Sequence, residues 1–354
     1  MSDLLYSDVE ESLRSSVRGV LARSLQSDEI GTFYDDTNAD ASDTWRALAQ
    51  DLGVAGLLMP ESRGGAGASA REAAVVLEEL GRSVAPVPFL TSSVIATTVL
   101  LSAGETSAIT ELASGKSRCA LVLPWSARPG KWTAVEGESV GLVAGAVDAD
   151  IFLAPVMHQG RLELRLHQTA TTERLTSLDM SRPLAAVAVS GPGTRIAADD
   201  EARAAIDAGL SVGAALLASE QVGIAQWCLD TTLEYVKTRI QFARPIGSFQ
   251  AIKHRLADLY LAVTQAQAAA RHAADTIATG DPDASVARAV AKSYCSDVAV
   301  QAAEEALQLH GGIGMTWEHP VHLYLKRAKA NQLALGTPAV HRRELAELIN
   351  LPPH

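Results

Sequence analysis

Arg239-Ile240-Gln241-Phe242-Ala243-Arg244-Pro245-Ile246-Gly247-Ser248-Phe249-Gln250 separates two long alanine-rich periodic segments, 202–238 and 249–279. Pro245 and Gly247 interrupt the helical period, so one helix ends near Thr238 and another begins near Ser248, whose hydroxyl suits an N-cap. Arg239 and Arg244 bracket Phe242. A guanidinium fork matches phosphate and an aromatic face stacks on a flat ring, so this connection suits an anion beside a ring. Solvated arginines on a plain helix-hairpin turn fit the same residues.

A second block lies downstream, Gln308-Leu309-His310-Gly311-Gly312-Ile313-Gly314-Met315-Thr316-Trp317-Glu318-His319-Pro320. Paired glycines at the end of a helix let a ligand or another backbone approach closely, and they also serve as an ordinary helix cap. Further periodic segments at 284–311 and 338–348 complete a set of long helices joined by short turns, which implies a bundle. Upstream, Leu162, Leu164 and Leu166 alternate with Glu163 and Arg165, the period of a half-buried strand. Short apolar runs at 120–123, 151–156 and 185–189 add further strands and predict a small barrel or sandwich. The first third is again helical, broken by the glycine-rich Met59–Gly67 stretch. A helix is expected from about Ala70 to Leu80, stopping at Gly81. The chain therefore divides into 1–118 (helical), 119–199 (β) and 200–354 (helical bundle), an α+β fold class.

Composition sets outer limits. The chain has 354 residues, 47% hydrophobic and 20% charged, with a net charge of −11. That acidity opposes nucleic-acid binding as the main task. No apolar run has the length of a membrane span, and the acidic segment 1–11 does not read as a signal peptide. Cys119, Cys228 and Cys295 have neither pair nor metal spacing, which points to a cytoplasmic protein without disulfides. His310, His319 and His322 lack the Cys or carboxylate partners of a metal site, so none is assigned. Trp125, Trp132 and Trp227 read as core or interface aromatics, and Glu304-Glu305 as a solvated helix face.

Taken together and in this order, the two blocks resemble the C-terminal domain of acyl-CoA dehydrogenases, with their Arg-x-x-Phe-Gly-x-x-Ile-x-x-x-Gln and Gln-x-x-Gly-Gly-x-Gly segments. Leu52–Glu61, Gly64–Gly67 and Glu78–Gly81 look like the family's N-terminal run. The resemblance implies an N-terminal helical domain, a central small β-barrel and a C-terminal four-helix bundle, with FAD as cofactor. It further implies that Arg239, Phe242, Gln250, Gln308, Gly311 and Gly312 reach the FAD of a neighbouring subunit. The family's reaction is α,β-desaturation of an acyl-CoA thioester. A carboxylate takes the α-proton while the β-hydride moves to the flavin, and polarisation of the thioester carbonyl makes that proton acidic enough.

The departures carry as much information. Ala243 stands where the family has glycine, which is tolerable unless the position needs a positive φ. The usual base, a Glu in Tyr-Glu-Gly-Thr, is matched by Ala334-Leu335-Gly336-Thr337, so Leu335 replaces it. The alternative base position of a minority of members falls near Gly213. Glu220, about two helical turns further on, is the remaining candidate; it reads equally as a surface acid or as one paired with a bundle Arg or Lys. Where the family has a Thr-Glu-Pro loop, Val122-Leu123-Pro124-Trp125 keeps only the proline, and Lys326-Arg327 replaces an Arg-Asp pair. Groups donated to a neighbour's FAD are retained, while those serving the chain's own flavin and chemistry are lost.

The resemblance thus implies a subunit of a flavin-dependent acyl-CoA dehydrogenase, completing a FAD site at a subunit interface, active alone or only within a hetero-oligomer. Alternatives are a structural partner without activity of its own, or a homo-oligomeric dehydrogenase using Glu220. Expected partners are the acyl-CoA substrate, electron-transfer flavoprotein or a similar acceptor, and either a related subunit in an α2β2 assembly or copies of itself in a homotetramer.

Overall fold

The computed structural model describes residues 4–25, 27–36, 39–105, 107–135 and 139–352, so part of the acidic N-terminal segment, residues 1–3, lies outside the described residues. The first third folds as α1 (Asp8–Ser24), α2 (Ser27–Asp35), α3 (Ser42–Arg46), α4 (Ala70–Arg82), α5 (Thr97–Ser102) and α6 (Ser107–Ala113). Ser7 with Glu10, and Ser69 with Glu72, form capping boxes that satisfy the first amides of α1 and α4. Residues Phe89–Ala96 wind as a wide π-helix leading into α5, and all eight are buried. On α4, Glu78 and Glu79 are buried and bonded by Tyr6, Arg14 and Arg18, which ties α1 to the centre of the molecule.

Gly81 does not end α4, which continues to Arg82. The glycine is needed for packing: a Cβ there would lie 2.0 Å from the carbonyl oxygen of Glu220, and one on Gly223 would lie 2.0 Å from that of Glu78. Two glycines on facing helices thus permit a crossing at which backbones touch.

The central part comprises β1 (Cys119–Leu121), β2 (Val140–Ala144), β3 (Ile151–His158), β4 (Arg161–His167), β5 (Ala170–Leu175), β6 (Leu184–Val189) and β7 (Thr194–Ala198). They make two sheets, ordered β1-β3-β4-β7 and β2-β6-β5; only the β1–β3 pair within them is parallel. Val122, Val143, Phe152, Ala154 and Val187 belong to one apolar cluster drawn from both sheets. This is the sandwich form of the expected β unit.

The bundle consists of α7 (Asp199–Thr238), α8 (Gln250–Thr279), α9 (Ala284–His310), α10 (Val321–Leu333) and α11 (Pro338–Leu348). A short hairpin, β8 (Ile240–Gln241) and β9 (Arg244–Pro245), joins α7 to α8. α10 was not among the periodic segments read from sequence. Its core face carries Arg327 and Asn331 beside Val321, Leu323 and Tyr324, which breaks the apolar stripe. α7 is long and apolar enough to cross a membrane by composition, but 83% of its apolar 18-residue window is buried in the protein, as befits a core helix. Trp227 stacks flat on Tyr324 with ring centroids 3.5 Å apart, a core role for that tryptophan.

Candidate functional site

The first sequence block forms a two-residue hairpin turn in which Phe242 and Ala243 both adopt positive φ, 53° and 62°. Such turns match the right-handed twist of their strands but require left-handed residues, hence the preference for glycine. Ala243 therefore occupies a position that does need positive φ, and its methyl group is held at a steric cost. The turn holds Phe242 out from the surface, 88% exposed. Arg239 and Gln250 flank the hairpin and are exposed too. Arg244 does not share Phe242 with Arg239; its guanidinium lies over the Phe249 ring at 3.9 Å. Nor does Ser248 cap α8: the cap residue is Phe249, and the Ser248 hydroxyl is buried without a partner.

The second block follows α9. Gly311 has φ 63° and ψ −138°, a conformation open essentially to glycine alone, and it turns the chain into a short 3-10 segment. A Cβ on Gly311 or Gly312 would meet nothing within 4 Å, so both face open space, and Gln308 beside them is exposed. α7 and α9 deliver both blocks to one end of the bundle. There the Tyr235 hydroxyl donates to the His310 carbonyl at 3.2 Å, and the two rings stack 4.4 Å apart. His310 in turn packs against His319 with the rings tilted at 47°, and Lys326 lies 4.1 Å from the ring centroids of both Tyr34 and Trp317.

Gly213 and Leu335 meet elsewhere, at a cleft between the β unit and the bundle. A Cβ on Gly213 would lie 3.4 Å from Leu335 Cδ1 and 2.6 Å from Ile95 Cγ1. Thr91, Ile95, Leu121, Trp125, Leu210 and Leu335 line the cleft, whose free volume is about 20 Å³. That is room for about one water molecule. The Leu335 amide donates to the Trp125 carbonyl at 2.8 Å, and the His341 ring nitrogen stands 2.9 Å from the Leu335 carbonyl. The leucine, at φ 53°, is thus fixed from both sides.

Glu220 is fully buried, and the structure gives it the paired environment that the sequence left open. Arg182 reaches its Oε2 at 2.6 Å, while Arg327 and the Asn331 amide reach Oε1 at 3.1 and 3.0 Å. Burial alone would raise its pKa, but the guanidinium groups of Arg182 and Arg327 outweigh it and hold the carboxyl near 2. A carboxylate so stabilised and so buried is a weak proton acceptor. Arg327 also bridges to Asp179 and bonds Ser181, and Tyr34 donates to Asp179 at 3.2 Å. The 179–182 loop of the β unit is thereby bolted to α7 and α10 by buried charges.

Sequence reasoning missed this network because its members lie far apart along the chain, and nothing local marks Arg182 or Asp179. It also missed Lys292, fully buried on α9 and bonded, among the described residues, only to the Ser296 hydroxyl and the Asn331 carbonyl, each at 3.0 Å. Burial lowers the amine's pKa to about 7. A lysine within an alanine-rich helix gives little warning of such a position.

Family models match most of the chain: the acyl-CoA dehydrogenase N-terminal domain over residues 7–110 and the acyl-CoA dehydrogenase C-terminal domain over residues 203–349. The chain is 37% identical over 340 residues to acyl-CoA dehydrogenase IpdE2 of Mycolicibacterium smegmatis, spanning 96% of this chain and 98% of that protein. It is 35% identical over 362 residues to acyl-CoA dehydrogenase FadE34 of Mycobacterium tuberculosis, spanning 96% of this chain and 49% of the relative. Among solved structures, a chain of the ChsE4-ChsE5 complex from Mycobacterium tuberculosis superposes over the full length of both chains with TM-score 0.85 at 23% identity. A variant of the Tcur3481-Tcur3483 steroid ACAD superposes with TM-score 0.83 at 25% identity, covering 97% of this chain and 98% of that one.

Proposed function

The chain belongs to the acyl-CoA dehydrogenase family of FAD-dependent oxidoreductases, and we propose that it is one subunit of a two-component member, completing a flavin site shared with a companion subunit. The reaction is α,β-desaturation of an acyl-CoA thioester. One observation carries the reading: the cleft walled by Leu335, beside Gly213, where the chain's own base would stand, has no acid among its lining residues and leaves about 20 Å³. That is space for about one water molecule, and neither an acyl chain nor a flavin ring enters it unless the walls move apart.

The outward face does fit a dinucleotide held by another subunit. Phe242 offers an aromatic face, Arg239 a forked cation suited to phosphate oxygens, and Gln250 and Gln308 amide groups. Gly311 and Gly312 leave their backbone open to close approach. When bound, FAD accepts the β-hydride; this chain's residues hold and orient it, and the proton-accepting carboxylate belongs to the companion. Electron-transfer flavoprotein or a similar acceptor reoxidises the assembly. Likeness to the Tcur3481-Tcur3483 steroid ACAD and to the two-protein ChsE4-ChsE5 complex supports an α2β2 arrangement and a bulky acyl group such as a steroid side chain.

A homo-oligomer using Glu220 as base is disfavoured by the two arginines that occupy that carboxylate. The test is purification of the chain alone and co-expressed with a candidate companion, followed by visible spectra and dye reduction with acyl-CoA. The chain alone should be colourless and inactive, and the co-purified assembly yellow and active. A yellow homo-oligomer that turns over acyl-CoA by itself refutes the proposal.

A further inference from the structure

Between Tyr235 and Ala257 the sequence holds Lys237, Arg239, Arg244, Lys253 and Arg255 and no acid, in a chain of net charge −11. Arg255 is neutralised by Glu305. Lys237, Arg239, Arg244 and Lys253 are exposed and form no ion pair among the described residues. Four such cations, against the flanking acids Glu234 and Asp258, leave this stretch of an acidic protein locally positive, a field that favours an acidic partner.

Two of them, Lys237 and Lys253, line a groove. Its walls include Leu233, Val236, Leu256 and Tyr260, and its volume is about 610 Å³. Gly247 forms part of its lining at close quarters, since a Cβ there would lie 2.9 Å from the Val236 carbonyl oxygen. The groove shares Pro245 with the hairpin that presents Phe242. A subunit that receives the hairpin would thus meet the edge of the groove at Pro245.

We infer that this groove docks an acidic segment of the companion subunit, with an apolar side chain seated among Val236, Leu256 and Tyr260 and carboxylates facing Lys237 and Lys253. The inference rests on the shared-site reading but concerns assembly, separately from flavin contact. An apolar groove rimmed by lysines selects a peptide carrying both features, and the hairpin's continuity with it favours the companion over a second copy of this chain.

The experiment compares the wild-type assembly with the Lys237→Glu/Lys253→Glu variant and with Arg239→Ala/Phe242→Ala. Subunit dissociation is measured by analytical ultracentrifugation at low and high salt, together with flavin absorbance of the assembled fraction. The lysine reversals should weaken assembly at least tenfold at low salt and flatten its salt dependence, while the assembly that remains keeps its flavin. The arginine and phenylalanine changes should release flavin at smaller cost to assembly. Unchanged strength and salt dependence in the lysine variant overturns the groove assignment alone. Self-association of this chain that the reversals abolish assigns the groove to a second copy and overturns it too. Absence of any mixed assembly removes the subunit reading and this inference together.

Discussion

Gly213 and Leu335 stand against each other across the cleft, so that a Cβ on the glycine would lie 3.4 Å from the leucine's Cδ1. The two places where the sequence pattern seeks a catalytic acid are thus a single place in space, filled with hydrocarbon. Restoring one acid does not restore a site that has no room for substrate. Leu335→Glu should destabilise the chain by about 3 kcal/mol or more, because it buries a carboxyl among apolar walls. The isolated variant should still fail to reduce a dye with acyl-CoA. Chemical denaturation and a turnover assay measure the two outcomes; turnover by the variant alone contradicts the closed cleft.

Ala243→Gly should stabilise the protein. Left-handed backbone costs an alanine about 1–2 kcal/mol, while glycine loses about 0.4–1 kcal/mol through greater freedom in the unfolded chain. Strain relief wins, by roughly 0.5–1 kcal/mol. A higher denaturation midpoint is the expected result, and a lower one means that the turn relaxes without glycine.

Glu220→Gln removes the counter-charge of two buried arginines, which costs about 3–5 kcal/mol where such a pair is broken. Turnover per bound flavin in the folded assembly should stay at the wild-type level. A fully folded variant with collapsed kcat would return Glu220 to the role of base. Since its folded pKa lies near 2, below the ordinary carboxylate value of 4.5, its stabilising contribution is complete at neutral pH. That contribution is lost as pH falls from about 4.5 through 2.

Lys292 has the opposite pH signature. Its folded pKa of about 7 lies below its ordinary 10.5, so between those values the unfolded chain binds more protons and stability rises with pH. Lys292→Met should remove this slope and be the more stable protein at pH 7. Parallel unfolding curves at pH 7 and pH 9 decide it: an identical slope in both proteins shows that the amine stays charged in the fold.

Gly223→Ala places a methyl carbon 2.0 Å from the Glu78 carbonyl oxygen, a collision with backbone that no rotamer relieves. A loss of about 3 kcal/mol or more, read as reduced soluble yield and an early denaturation midpoint, is expected. Tolerance of the change would mean that α4 and α7 can separate.

The long helices and the break between α7 and α8 were legible because periodicity, Pro245 and Gly247 are local signals; the strand pairing of β8 with β9 inside that break was not. Gly81 was misread for the same reason: a glycine near a helix end looks like a cap, whereas here it answers to Glu220 on another helix. α10 escaped because Arg327 and Asn331 turn polar groups inward. Phe242 stands exposed and Gly311 and Gly312 face open space, while the charges that bolt the β unit to the bundle exist only as long-range pairs. No window of sequence contains both Asp179 and Arg327.

α7 is one unbroken helix of 40 residues, with Gly213 at the closed cleft and Thr238 at the base of the hairpin. At 1.5 Å per residue the two locations are roughly 40 Å apart on a single rod. Substitutions that erase chemistry at one end leave the shape presented at the other end untouched. On the proposed role, the contacts this chain lends can therefore persist whatever happens at its own cleft.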